Sequence, residues 1–238
     1  MSLDIIRRNI AKPPRVVLYG VPGIGKTTLA CSAPSPIVIP VEDGLAGIEV
    51  DHFPQPTTLD EVYGYITKLV ESDHDYKTLV LDSLDKLEPL IWDAICAQGN
   101  KKRIEDFGFG KGYTNALSEW RNLLAGLDAL RDKGMTVITV AHSTVAKVEP
   151  PDSDQYDRWQ MRLNKHAEAT VSDWADAILF ANYETKLISS GETRKRAIGD
   201  GTRQLLTTER PAWRAKNRYR MPDVLPMDWT AIAQYFPV

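Results

Sequence analysis

Eight residues carry the sharpest chemistry in the chain. Gly20-Val21-Pro22-Gly23-Ile24-Gly25-Lys26-Thr27, followed by Thr28, has the Gly-x4-Gly-Lys-Thr spacing of a phosphate-binding loop. Its glycines let successive backbone N–H groups curl around phosphate oxygens. Lys26 is placed to reach the β- and γ-phosphates, and the Thr27 hydroxyl to ligate Mg²⁺. A guanine reader of the Asn-Lys-x-Asp type is missing, because Asn164-Lys165 runs on into His166-Ala167. ATP with Mg²⁺ is therefore the expected pair of ligands, held by Gly20 to Thr28.

Two carboxylates complete the candidate set. Asp82 ends the apolar run KTLVLD, where the second acidic group of such sites holds Mg²⁺ through water. Asp82 or Ser83 can also cap the helix that follows, and the two roles are compatible. Hydrolysis needs a group that orients or deprotonates water. Ser83, not a glutamate, follows Asp82, so the candidate base is Glu42 at the end of a neighbouring strand, with Asp43 as the alternative.

The elements that must position these groups follow from hydrophobic patterning. Arg15–Gly20, Pro36–Val41, Lys77–Asp82, Met135–Ala141 and Asp176–Ala181 read as buried strands; Leu59–Glu71, Leu84–Ala97 and Leu117–Lys133 read as helices. Strands alternating with helices predict an α/β fold, a doubly wound and mostly parallel sheet with helices on both faces. Between them lie a glycine- and aromatic-rich loop, Gln98–Tyr113, and a long polar stretch, His142–Lys165. After Asn182 short alternating runs with turns at Ser190-Gly191 and Asp200-Gly201 predict C-terminal β-hairpins, closed by a helix near Asp228–Tyr235. The expected organisation is an N-terminal arm, 1–14, and one domain, 15–238, with a basic hairpin section at 183–222.

With 43% hydrophobic and 26% charged residues in 238, the chain reads as an ordinary globular protein rather than a disordered one. No apolar stretch approaches the roughly 20 residues of a membrane span, and the N-terminus lacks the apolar core of a signal peptide, so a cytoplasmic location is expected. Cys31 and Cys96 lack the close spacing of a metal pair. The overall charge of −3 hides a polarity: Lys186–Arg220 holds ten cations against three acids, net +7, leaving −10 on the rest.

The phosphate loop, Glu42, the LVLDSL segment and the polar residue ending TVAHS together resemble the RecA/DnaB/RadA class of P-loop ATPases. More narrowly GFGKGY at Gly108–Tyr113, the strand Trp174–Phe180 and Ala-Lys-Asn-Arg at 215–218 resemble small phage-encoded recombinases of single-strand annealing type. The resemblance implies a RecA-like fold and a nucleotide at the boundary between subunits of a ring or filament. It also implies an ATPase stimulated by DNA, a bacterial host cytosol as the location, and a single-strand-binding protein as a further partner. In this class His142 stands where a polar sensor feels the γ-phosphate, usually a glutamine. A histidine there can equally be an ordinary strand-end residue. Lys216 and Arg218 resemble a Lys-x-Arg finger that reaches the neighbouring subunit's γ-phosphate.

The same resemblance places two DNA-binding loops. The first offers Lys101, Lys102, Arg103, Phe107, Phe109, Lys111 and Tyr113; the second offers Lys147, Tyr156, Arg158, Trp159, Arg162 and Lys165. Cations track phosphates while rings stack on unpaired bases, which suits single-stranded DNA. Annealing or strand pairing is the implied task. A nucleotide or small-molecule kinase with His142–Lys165 as a lid, and a helicase-like motor, loader or switch, remain alternatives.

Overall fold

The computed structural model of the chain describes residues 11–189 and 195–237, with side chains for all of these but 186–198. The turn expected at Ser190-Gly191 and most of the 1–14 arm lie outside them. Strand β1 (Arg15–Gly20) alternates Val16 and Leu18 toward one face with Val17 and Tyr19 toward the other, and all four are buried. The same two-sided burial holds β4 (Thr78–Asp82), which is why these strands read as unbroken apolar runs. Among the described residues they join a ten-stranded sheet. Its central order is β3 (Asp51–His52), β2 (Pro36–Pro40), β4, β5 (Thr136–Val148), β1 and β7 (Ala177–Tyr183), all parallel. Antiparallel β10 (Arg203–Leu206) and β12 (Val224–Pro226) extend it past β7.

Helix α1 (Lys26–Cys31) and the C-terminal α6 (Trp229–Ala233) cover one face. The other face carries α2 (Leu59–Glu71), α3 (Leu84–Gln98), α4 (Lys111–Asp132) and α5 (Lys165–Trp174), whose buried side chains form the larger core cluster. Helix α2 starts where its pattern predicts, because Thr58 and Glu61 form a reciprocal capping box. This is the doubly wound, mostly parallel α/β fold expected from the sequence, with the P-loop between β1 and α1 and one strand, β5, separating β1 from the strand of Asp82.

Three expectations are corrected. Helix α4 begins at Lys111, six residues before Leu117. Gly112 lies against Ile104, where a Cβ would strike the Ile104 carbonyl, so a residue that reads as a breaker is required by close packing. The stretch His142–Lys165 is not a loop. Strand β5 runs on to Val148 and pairs antiparallel with β6 (Tyr156–Met161), from Ser143 with Met161 to Val148 with Tyr156. Only the base of this arm, at Met161 and Trp159, meets the core, and the rest keeps few apolar residues, which hid its strands. Trp174 ends α5 instead of opening a strand; Asn164 caps that helix by accepting from the His166 N–H.

Candidate functional site

The P-loop closes on itself through its lysine. Lys26 is buried, and its Nζ donates to the Gly20 carbonyl at 3.2 Å and the Val21 carbonyl at 3.0 Å. Burial pulls this ammonium below its ordinary pKa, against the attraction of Asp82 and Glu42. Gly20 must be glycine, because a Cβ there would run into the Ala181 carbonyl of β7. Gly25, at φ 100°, sets the left-handed turn into α1.

Asp82 stands across the loop. The Thr27 hydroxyl donates to its Oδ2 at 2.5 Å, while its Oδ1 is buried with no hydrogen-bond partner among the described residues. Burial pushes the Asp82 carboxyl up, opposed by the Thr27 hydrogen bond. A hydroxyl and an orphaned carboxylate oxygen suit Mg²⁺, which keeps several waters and takes few protein ligands beside phosphate oxygens. Among the described residues no group of three or more His, Cys, Asp or Glu is gathered to hold a metal by itself. The residues therefore fit a cation shared with a bound phosphate.

A cavity of about 460 Å³ brings Gly23, Gly25, Lys26, Thr27 and Thr28 together with Glu42, Asp82 and His142. Glu42 is held there by its backbone: the N–H groups of Val41 and Glu42 both approach the Asp82 carbonyl, at 2.5 and 3.3 Å. Asp43 is exposed and lies outside this lining.

His142 lines the cavity and is anchored behind it by Asp85. Its N–H donates to Asp85 Oδ1 at 2.9 Å, and its ring Nδ1 lies 3.1 Å from Asp85 Oδ2. Arg162, at the end of the β5–β6 arm, donates to the same Oδ2 at 2.6 Å. Burial works against the charge on Asp85, yet the His142 and Arg162 hydrogen bonds hold it far below the usual carboxylate range. One turn further along α3, both oxygens of Glu88 accept the Asn164 N–H at 3.1 Å. Asp85 and Glu88 were missed from sequence. The i, i+3 spacing of Asp85 and Glu88 along one face of α3 was the available signal.

The proposed DNA residues divide. Lys101, Lys102, Arg103, Phe109 and Lys111 are exposed, and Phe109 is fully so. Phe107 packs against Gly99 and the core, and Tyr113 donates to Glu105 at 2.8 Å while meeting Trp92 edge-on. In the arm, Lys147 and Lys165 are exposed, whereas Trp159 packs near Phe180 and Arg158 pairs with Glu209 and Tyr156. Arg162 serves Asp85.

Lys216 and Asn217 form β11, which pairs with Ile178 and Ala177 at the start of β7. Lys216 Nζ donates to the Ser172 and Asp173 carbonyls, and Arg218 to Asp176 at 3.0 Å. In register Ala177 lies beside Val16, four residues before Gly20, or roughly 13 Å along the strand. Lys216 and Arg218 thus stand at the opposite strand end from their own P-loop. Among the described residues no helix is long and apolar enough to cross a membrane.

A family model described as an AAA domain matches residues 12–219. No curated protein matches the chain. Among solved structures, the RadB recombinase is 15% identical with a TM-score of 0.47, covering 82% of this chain and 81% of that one. The flagellar accessory protein FlaH from Methanocaldococcus jannaschii is 11% identical with a TM-score of 0.38, covering 82% and 77%.

Proposed function

Because the chain belongs to the AAA domain family, we propose that it is an ATPase whose nucleotide state controls an oligomer's grip on single-stranded DNA. The biological task in this reading is annealing or strand pairing of the phage recombination type. The observation that carries the reading is the cavity in which Lys26, Thr27, Asp82, Glu42 and His142 converge, with Asp82 Oδ1 buried and without a hydrogen-bond partner among the described residues.

Lys26 and the N–H groups of Gly23 to Thr28 hold the phosphates of ATP. Thr27 and Asp82 hold Mg²⁺, which neutralises phosphate charge when bound. Glu42 orients the attacking water and takes its proton on a carboxylate oxygen. His142 contacts the terminal phosphate, and Asp85 passes its position to Arg162 and so to the β5–β6 arm.

DNA contact belongs to the exposed cations Lys101, Lys102, Arg103, Lys111, Lys147 and Lys165 with Phe109, because the other arm side chains are engaged within the fold. Lys216 and Arg218 act on a neighbour's nucleotide, which their distance from their own P-loop supports. A host single-strand-binding protein is the natural further partner, since it covers the same substrate.

Fluorescence anisotropy of a labelled oligo-dT tests the reading. Binding at low salt that strengthens several-fold with a non-hydrolysable ATP analogue is expected, and low salt matters because phosphate contacts weaken steeply as salt rises. Absence of binding with either nucleotide form would end the DNA half of the proposal. Phosphate release that requires a small-molecule acceptor would replace it with a kinase.

A further inference from the structure

The cavity accounts for the phosphate end of a nucleotide and leaves its nucleoside end unassigned. Thr27 and Asp82 mark the metal-binding end, and with Glu42 they lie toward the β5–β4–β2 side of β1. A nucleoside polyphosphate laid along the loop with its terminal phosphates there leads its nucleoside out over the other side of β1. The strands on that side are β7 and then β10.

Two side chains stand at that place. In the antiparallel β7–β10 pair, Leu205 lies opposite Ala181, and both belong to the core cluster under α1 and α6. Two residues further toward the open end, Arg203 lies opposite Tyr183. Side chains two apart on a strand share a face, so Tyr183 and Arg203 are neighbours on the α1 face. The Arg203 guanidinium reaches the P-loop itself, donating from Nη1 to the Ile24 carbonyl at 3.2 Å, and a Cβ on Gly25 would sit 2.7 Å from that nitrogen. Tyr183 is 39% exposed, among the few large hydrophobic side chains left open to solvent. The backbone below them is pinned: the Thr202 N–H donates to Asp200 Oδ1 at 2.9 Å, and the Glu184 N–H to the Thr202 carbonyl at 2.8 Å.

We infer that Tyr183 and Arg203 form the nucleoside platform of the P-loop site, taking the flat face of a purine base. A phenol ring and a planar guanidinium both stack on such a face while keeping polar groups for its edge. A guanidinium carries five N–H donors, and the Ile24 carbonyl takes one. The inference rests on the nucleotide reading of the P-loop and adds which residues read the nucleoside.

Isothermal titration with Mg²⁺-ATP and with Mg²⁺-tripolyphosphate separates the two ends. Tyr183→Ala and Arg203→Ala are each expected to weaken ATP about tenfold, the size of one base stack. Tripolyphosphate affinity should not change, and Tyr183→Phe should bind ATP like the wild type. Arg203 also touches the loop, so Tyr183→Ala decides. Equal losses for ATP and tripolyphosphate in Tyr183→Ala, or undiminished ATP affinity, would overturn the platform. A wild-type chain that binds neither ligand overturns the nucleotide reading, and the platform with it.

Discussion

Strand β1 has its two ends in opposite chemical conditions. At the Gly20 end the polar groups are under-served: Lys26 makes do with two loop carbonyls, and one oxygen of buried Asp82 has no partner among the described residues. At the Arg15 end the buried carboxylate of Asp176 is saturated. It pairs with Arg15 at 2.9 Å, Arg131 at 3.2 Å and Arg218 at 3.0 Å, and accepts the Arg15 N–H as well. Burial opposes its charge, yet those partners hold its pKa below the ordinary carboxylate value. A buried polar group left short of partners costs stability that the fold must supply elsewhere, whereas a saturated one ties elements together. The first condition marks a place kept for a ligand, and the second a structural joint.

Substitution at each end should separate the two conditions. Lys26→Ala removes a desolvated cation, so thermal stability should hold or rise while ATP turnover falls by about 10³-fold, measured as phosphate release with Mg²⁺. Retained turnover would remove the P-loop from the catalytic reading. Asp176→Ala does the reverse. It leaves three arginines facing one another and should cost about 3 kcal/mol, seen as a melting temperature lower by roughly 10 °C. ATP affinity of the protein that remains folded should be unchanged. A melting point within a degree of wild type would show that the joint carries no stability.

The ligand-keeping end was legible in sequence and the joint was not, for a physical reason. Phosphate binding demands local backbone geometry, so Gly20 to Thr28 lie together in the chain and the motif is visible. Asp176 meets Arg15, Arg131 and Arg218 only after the sheet forms, and no spacing announces them. The strands buried on both faces were legible because their apolar runs are continuous. The β5–β6 arm was not, because only its base, at Met161 and Trp159, meets the core, and pairing by backbone hydrogen bonds leaves no hydrophobic pattern beyond it. Trp159 and Arg158 looked like DNA-binding residues for the same reason: composition reports their types and cannot report that the fold already uses them.

Glu88 lies between the two conditions. Both its oxygens accept one N–H, yet burial pushes its carboxyl from 4.5 up to about 7. The folded chain thus holds a proton that the unfolded chain has lost between pH 4.5 and 7, so this group makes stability fall as pH rises through that window and level off above it. The expected contribution is about 3 kcal/mol. Glu88→Gln should remove that downward trend from the denaturation midpoint measured against pH, leaving the opposing loss near pH 3 and below that comes from Asp85, whose depressed carboxyl stabilises the fold at higher pH. An unchanged profile would place the Glu88 proton elsewhere.

The smallest effect tests the same contrast between apolar rings. Phe107 and Phe109 sit two residues apart in one loop. Phe107 fills the space over Gly99, whereas Phe109 is fully exposed at φ 49° between Gly108 at 68° and Gly110 at 70°. A left-handed phenylalanine costs on the order of 1 kcal/mol, which no packing returns here. Phe107→Ala should therefore lower stability by about 2 kcal/mol and leave oligo-dT affinity nearly unchanged. Phe109→Ala should move stability by less than about 0.5 kcal/mol while weakening oligo-dT five- to tenfold, because a ring with nothing beneath it is free to stack on a base. If both variants bind oligo-dT alike, the exposed ring serves some contact other than DNA, and the cations of this loop lose the feature that makes them specific for unpaired strands.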